Sequence, residues 1–254
     1  MSVKKNTKLL CEAARTGNAL EVQRLIPLSD PKAEQSQALS MAAVKGHAHC
    51  VELLIPVSDP NDCTRALVDA SNNGHVQCVQ LLIPVGHAKH YDSGPLRNAA
   101  REGHTECVKL LLPVSDPKAN NSSALCCAAQ GGHRECVELL IPVSDPKADN
   151  SAPLQWAVHN GHTECVKLLI PVSDCKTLNS FPLMYAASCK DLECMELLFD
   201  HSDPSVALQA LKEQYPEDND LYHFFENFIA EKQRGVLHNA LGSTRKKKML
   251  ARKM

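Results

Sequence analysis

The sequence predicts an all-α solenoid of about seven stacked helix-turn-helix repeats, followed by a C-terminal helical cap. Three observations predict it. First, the phrase Gly-His-x-x-Cys-Val begins at Gly46, Gly74, Gly103, Gly132 and Gly161, at steps of 28, 29, 29 and 29 residues. Weaker copies stand at Gly17 and at Lys190, the latter with Cys194 in the Cys slot. Self-similarity at such a fixed period is the mark of stacked units, each contacting only its neighbours. Second, apolar residues on both sides of the phrase recur three and four apart, the spacing of one helix face. Third, glycine and proline punctuate every copy at the same places.

Each element follows in order within the copy that contains Gly132. Leu125 and Ala128-Ala129 mark one face of a first helix. Ser122 precedes it, with Ser36, Thr64, Ser93, Ser151 and Ser180 at equivalent points, so each hydroxyl is expected to cap the free amides of a helix start. Pro95, Pro153 and Pro182 fall two residues later, in the first turn, where proline is tolerated. Gly132 ends this helix in a positive-φ turn. His133 opens a second helix, with Cys136, Val137, Leu140 and Ile141 on one face and Arg134, Glu135 and Glu138 toward solvent. Pro142 stops it, as Pro27, Pro56, Pro84, Pro113 and Pro171 do in the other copies. The connector, Val-Ser-Asp-Pro-Lys at 143–147, is built of turn formers and reads as a tight loop.

Seven such units run from about Thr7 to Pro204, the first and last atypical as end units should be. The expected organisation is a repeat array over 1–204, a helical cap over 205–234 and a basic helix or tail over 235–254. Val206-Ala207 with Ala210-Leu211 predict a short helix. Leu221-Tyr222, Phe224-Phe225 and Phe228-Ile229 predict a longer amphipathic one that seals the end of the array.

The charge is uneven. Residues 231–254 hold eight basic residues and one acidic, a net of +7. The other 230 residues hold 19 basic and 28 acidic, a net of −9. Six of the twelve cysteines share one repeat position (Cys50, Cys78, Cys107, Cys136, Cys165, Cys194). Equivalent points on stacked helices lie about 8–10 Å apart, too far for a disulfide. These cysteines are expected to be small core side chains in a reducing, cytoplasmic setting, with the nucleus as the alternative. Neither a signal-peptide pattern nor a run near the ~20 apolar residues of a membrane span is visible.

The unit Leu-x-x-Ala-Ala-x-x-Gly-His-x-Glu-x-Val-x-Leu-Leu stands at 96–111 (LRNAAREGHTECVKLL) and 125–140 (LCCAAQGGHRECVELL). It resembles the ankyrin repeat, and the resemblance covers about four fifths of the chain. Ankyrin units run near 33 residues, whereas these run 29. The missing residues fall where ankyrins carry a β-hairpin finger, and Val-Ser-Asp-Pro-Lys replaces their Gly-Ala-Asp-Val-Asn. The resemblance therefore implies a binding protein that works through its first helices.

No chemistry competes with that expectation. His47, His75, His104, His133 and His162 form a row whose rungs, about 10 Å apart, cannot share one metal ion. The Asp row of Ser-Asp-Pro is spaced the same way and is expected to cap loops. Phosphate loops, nucleophile elbows and HExxH are absent, so no catalytic residue, cofactor, metal or small-molecule substrate is expected. The informative positions vary while the frame repeats. They are Met41, Asp69, Asn98, Cys127, Trp156 and Tyr185, and the pairs just before each Gly. Aromatics and Arg dominate binding hot spots, so the expected protein-binding patch is Arg101, Trp156, His159 and Tyr185. The expected function is a monomeric, non-enzymatic interaction scaffold. The alternative is a targeting adaptor whose tail (Arg245, Lys246, Lys247, Lys248, Arg252, Lys253) addresses it to nucleus, nucleic acid or anionic membrane. The resemblance is also compatible with the host-directed effectors of intracellular bacteria and large viruses.

Overall fold

The computed structural model describes the backbone of residues 2–251 and the side chains of residues 2–235. Among the described residues every regular element is helical. The chain divides into two compact units, residues 1–173 and 174–254.

The first unit holds six helix pairs. They are α1 (Val3–Thr16) with α2 (Ala19–Leu25), α3 (Ala33–Lys45) with α4 (Ala48–Leu54), and α5 (Pro60–Asn72) with α6 (Val76–Leu82). Then follow α7 (His90–Arg101) with α8 (Thr105–Leu111), α9 (Ala119–Gln130) with α10 (Arg134–Leu140), and α11 (Ala148–His159) with α12 (Thr163–Leu169). First helices pack side by side, and so do the seven-residue second helices. Each first helix buries one leucine completely (Leu10, Leu39, Leu67, Leu96, Leu125, Leu154) beside small residues, mostly Ala-Ala, that let neighbouring backbones approach. From the second pair on, each second helix buries its Cys, Val and second Leu, as at Cys107, Val108 and Leu111. Isolated seven-residue helices are unstable in water. Packing against the neighbouring pair is what holds them.

The serine caps expected from the sequence do not form. Ser122 does not cap a right-handed helix. Asn120, Asn121 and Ser122 have φ of 48°, 54° and 57°, one turn of left-handed helix ahead of the right-handed one. The same turn occurs at Glu34–Ser36, Tyr91–Ser93, Asp149–Ser151 and Leu178–Ser180. Left-handed backbone costs an L-residue about 1–2 kcal/mol, least for Asn and Asp, and Asn, Asp or Gln fills the middle place each time. What the turn achieves is placement of its last serine, which is buried. The Ser122 hydroxyl accepts the backbone N–H of Asp145, 2.8 Å away in the connector to the next pair. Ser36, Ser93 and Ser180 take the amides of Asp59, Asp116 and Asp203 in the same way. A connector is thus fastened to the start of the first helix before it.

One pair differs. From Asp145 to Ser151 is six residues, but from Asp59 to Thr64 is five. The shorter path has no left-handed turn. Asp59 caps α5 directly by accepting the N–H of Asn61, and Pro60 is its first residue. Thr64 still reaches its connector, accepting the N–H of His87 at 3.1 Å. The single 28-residue step in the sequence is this missing turn.

The Gly-His joint is also more than a stop and a start. Gly103 has φ 75°, and His133 of the following pair lies over it. A methyl group on Gly103 would stand 2.5 Å from the His133 Nδ1 atom. His133 Nε2–H donates to the Arg101 carbonyl at 2.8 Å. His47, His75, His104 and His162 repeat the contact with the carbonyls of Arg15, Val44, Asn72 and Gln130. These histidines do not cap their own helices; they tie each pair to the one before. In the first pair Asn18 fills the His slot and caps α2, and Glu21 fills the Cys slot.

The second unit contains α13 (Thr177–Ser188), α14 (Leu192–Phe199), α15 (Pro204–Gln214) and α16 (Asn219–Ala251). Leu221, Tyr222, Phe225 and Phe228 of α16 are buried. Phe228 meets Phe199 edge-on at 5.7 Å, and the Tyr222 hydroxyl donates to the Tyr215 carbonyl. Lys212–Glu226 and Lys232–Glu196 ion pairs flank this core.

Candidate interaction surface

The variable first-helix positions lie at the surface. Lys45, Asn73, Arg101, Glu102, Gln130, His159 and Asn160 are exposed, and Met41, Asp69, Asn98 and Cys127 are half-buried. The alternation follows from helix geometry. Leu and Ala-Ala take the core face, so residues next to them along the helix emerge between neighbouring helices.

Of the four expected patch residues, the structure brings two together. Trp156 is 41% exposed, large for the only tryptophan of the chain. Its ring meets that of His159, one turn on in α11, edge-on at 5.8 Å. Arg101 ends α7, with α9 between it and α11, and its guanidinium donates to Asn98 Oδ1 of its own helix. Tyr185 belongs to the second unit. It is half-buried and stacks on Phe181 at 5.9 Å, and burial together with Cys189 raises its phenol above the usual range.

Among the described residues no group of three or more His, Cys, Asp or Glu is arranged to hold a metal ion. The aspartates of the connectors make Asx turns: Asp116, Asp145 and Asp174 each accept the N–H two residues on, at 3.0 Å. All twelve cysteines are free thiols. Burial pushes Cys78, Cys107 and Cys165 up to about 11 and Cys126 up to about 12. Thiols held neutral in this way are poor nucleophiles. The side chains of Arg245, Lys246, Lys247 and Lys248, and Arg252 and Lys253 entirely, lie outside the described residues.

A family model described as ankyrin repeats (3 copies) matches residues 10–94, 67–150 and 142–209. The chain belongs to the ankyrin-repeat family. Ankyrin repeats are a protein–protein interaction module, generally non-enzymatic, and the stacked helix pairs here are that module with left-handed turns in place of hairpin fingers. No curated protein matches the chain. Two features of this ankyrin array leave little trace in the sequence. The His-to-carbonyl tie spans 32 residues and has no local signature. The left-handed turn has one signal, the odd 28-residue step.

Proposed function

We propose that this ankyrin-repeat protein is a non-enzymatic scaffold that binds a protein partner on its first-helix surface. Arg101, Trp156 and His159 are the contact residues in the first unit, and Tyr185 is the contact residue in the second. The observation that carries the reading is the exposed Trp156–His159 pair on a frame whose repeated Leu, Val and Cys side chains are buried. A rigid frame presents such a pair with little loss of side-chain freedom on binding. The free thiols support work in a reducing compartment. The scaffold acts as a monomer in the cytoplasm.

The test is affinity capture from extract with identification by mass spectrometry, comparing wild type with Trp156→Ala/Tyr185→Ala. The proposal expects at least one partner to be lost from the variant at unchanged helix content. An identical set of partners would refute it. The uneven charge, +7 in the last 24 residues, supports a second reading as a targeting adaptor. Deleting 243–254 then abolishes nuclear, nucleic-acid or lipid association. Unchanged localisation and binding would end that reading.

A further inference from the structure

The pair that lacks its left-handed turn leaves a space. A groove of about 620 Å³ lies along α5, between the turn of α3 on one side and the turn of α7 on the other. Gln35 and Tyr91, both turn residues, form its rims. In a 29-residue pair the intervening turn would occupy this position. The floor is Val68 and Gly94, and Gly94 adds no side chain to fill it. A second groove, of about 650 Å³, borders α1, another first helix without the turn.

The groove has a defined chemistry. Arg65 projects from α5 and Arg97 from α7. Arg65 donates to the Gln35 side-chain carbonyl, and among the described residues neither guanidinium closes an ion pair. Two carboxylates also line the space, but each is already engaged from the α3 side. Asp62 accepts the Ser36 hydroxyl at 2.7 Å, and Asp69 accepts the Ser40 hydroxyl. Burial raises the Asp69 carboxyl, against the Ser40 hydrogen bond and the Arg65 charge, which lower it. Tyr91, 64% exposed, offers an aromatic wall for an aliphatic stem.

We infer that this groove is a docking site for an acidic peptide segment of a partner protein, with a Glu or Asp carboxylate clamped between Arg65 and Arg97. Guanidinium forks favour carboxylates and hold them by two N–H donors. The site is separate from Trp156 and His159 and stands whether or not they bind a partner.

The test is fluorescence anisotropy of the full chain with a fluorescein-labelled hexaglutamate peptide at low ionic strength. Hexaglutamine and hexalysine serve as comparison peptides. Arg65→Gln/Arg97→Gln is expected to weaken hexaglutamate binding by about tenfold or more, the loss of charge-assisted contacts. Inserting one residue between Pro60 and Asn61 restores the 29-residue step, and the rebuilt turn is expected to close the groove and weaken binding as much. Deleting 243–254 removes the basic tail and is expected to keep the component that the arginine variant loses. Circular dichroism and thiol titration check that each variant is folded. The inference is overturned if the folded arginine variant binds hexaglutamate like wild type. It is equally overturned if hexaglutamine or hexalysine binds as well, or if the tail variant loses all binding.

Discussion

At the scale of single residues, the repeated phrase works as a joint. Gly103 supplies left-handed backbone and, by lacking a side chain, a seat for the ring of His133. The two demands separate experimentally, because Gly161 has φ 69° yet a methyl group there would meet nothing within 4 Å. Gly161→Ala is expected to cost about 1–2 kcal/mol, the left-handed penalty alone. Gly103→Ala adds overpacking against His133, about 1–3 kcal/mol more. Urea unfolding of both variants checks the difference, and equal costs would mean that the ring adds nothing. Combined with His133→Ala, the Gly103→Ala cost should shrink, since neighbours that touch do not act additively. The glycine, the helix ends and the buried Cys-Val pair were legible in sequence. The destination of the histidine was not, because its acceptor is a backbone carbonyl, and every residue carries one.

At the scale of elements, the instructive case is the connector. Serine is a favoured helix cap and precedes an apolar run, so local propensity pointed to capping. The tertiary requirement is different: the part-buried connector N–H needs an acceptor, and the start of the first helix supplies it. Ser122 meets it, and three left-handed residues are the cost of bringing the hydroxyl there. Ser122→Ala leaves the Asp145 N–H without its acceptor and is expected to destabilise the chain by about 1–3 kcal/mol. Ser122→Thr should be tolerated, since Thr64 does the same work. Thermal unfolding distinguishes the outcomes, and a neutral Ser122→Ala would mean the amide finds water instead. The helix pairs of the first unit, their order and their core faces were readable from the period because within that unit each pair contacts its like. The left-handed turn was not, except through the one pair that omits it.

At the scale of the whole molecule, buried thiols make stability depend on alkaline pH in a stated direction. Burial raises the folded pKa of Cys78, Cys107, Cys165 and Cys175 from 9.0 to about 11. The unfolded chain releases these protons first as pH rises. The stability these thiols contribute is therefore fully present below about pH 9 and is lost between about 9 and 11. A urea midpoint that stays level across that range would contradict the burial of the ladder. At neutral pH, a thiol reagent should modify exposed Cys189 promptly and the nine buried cysteines only on unfolding.

Function also belongs to this scale. The frame is uniform; the surface is individual at Arg101, Trp156 and His159. The most direct measurement is the dissociation constant of a captured partner for wild type against Trp156→Ala. A buried aromatic anchor at an interface contributes about 2 kcal/mol or more, so the constant is predicted to rise about thirtyfold with helix content unchanged. An unchanged constant would place the partner elsewhere and contradict the first-helix surface as the binding site.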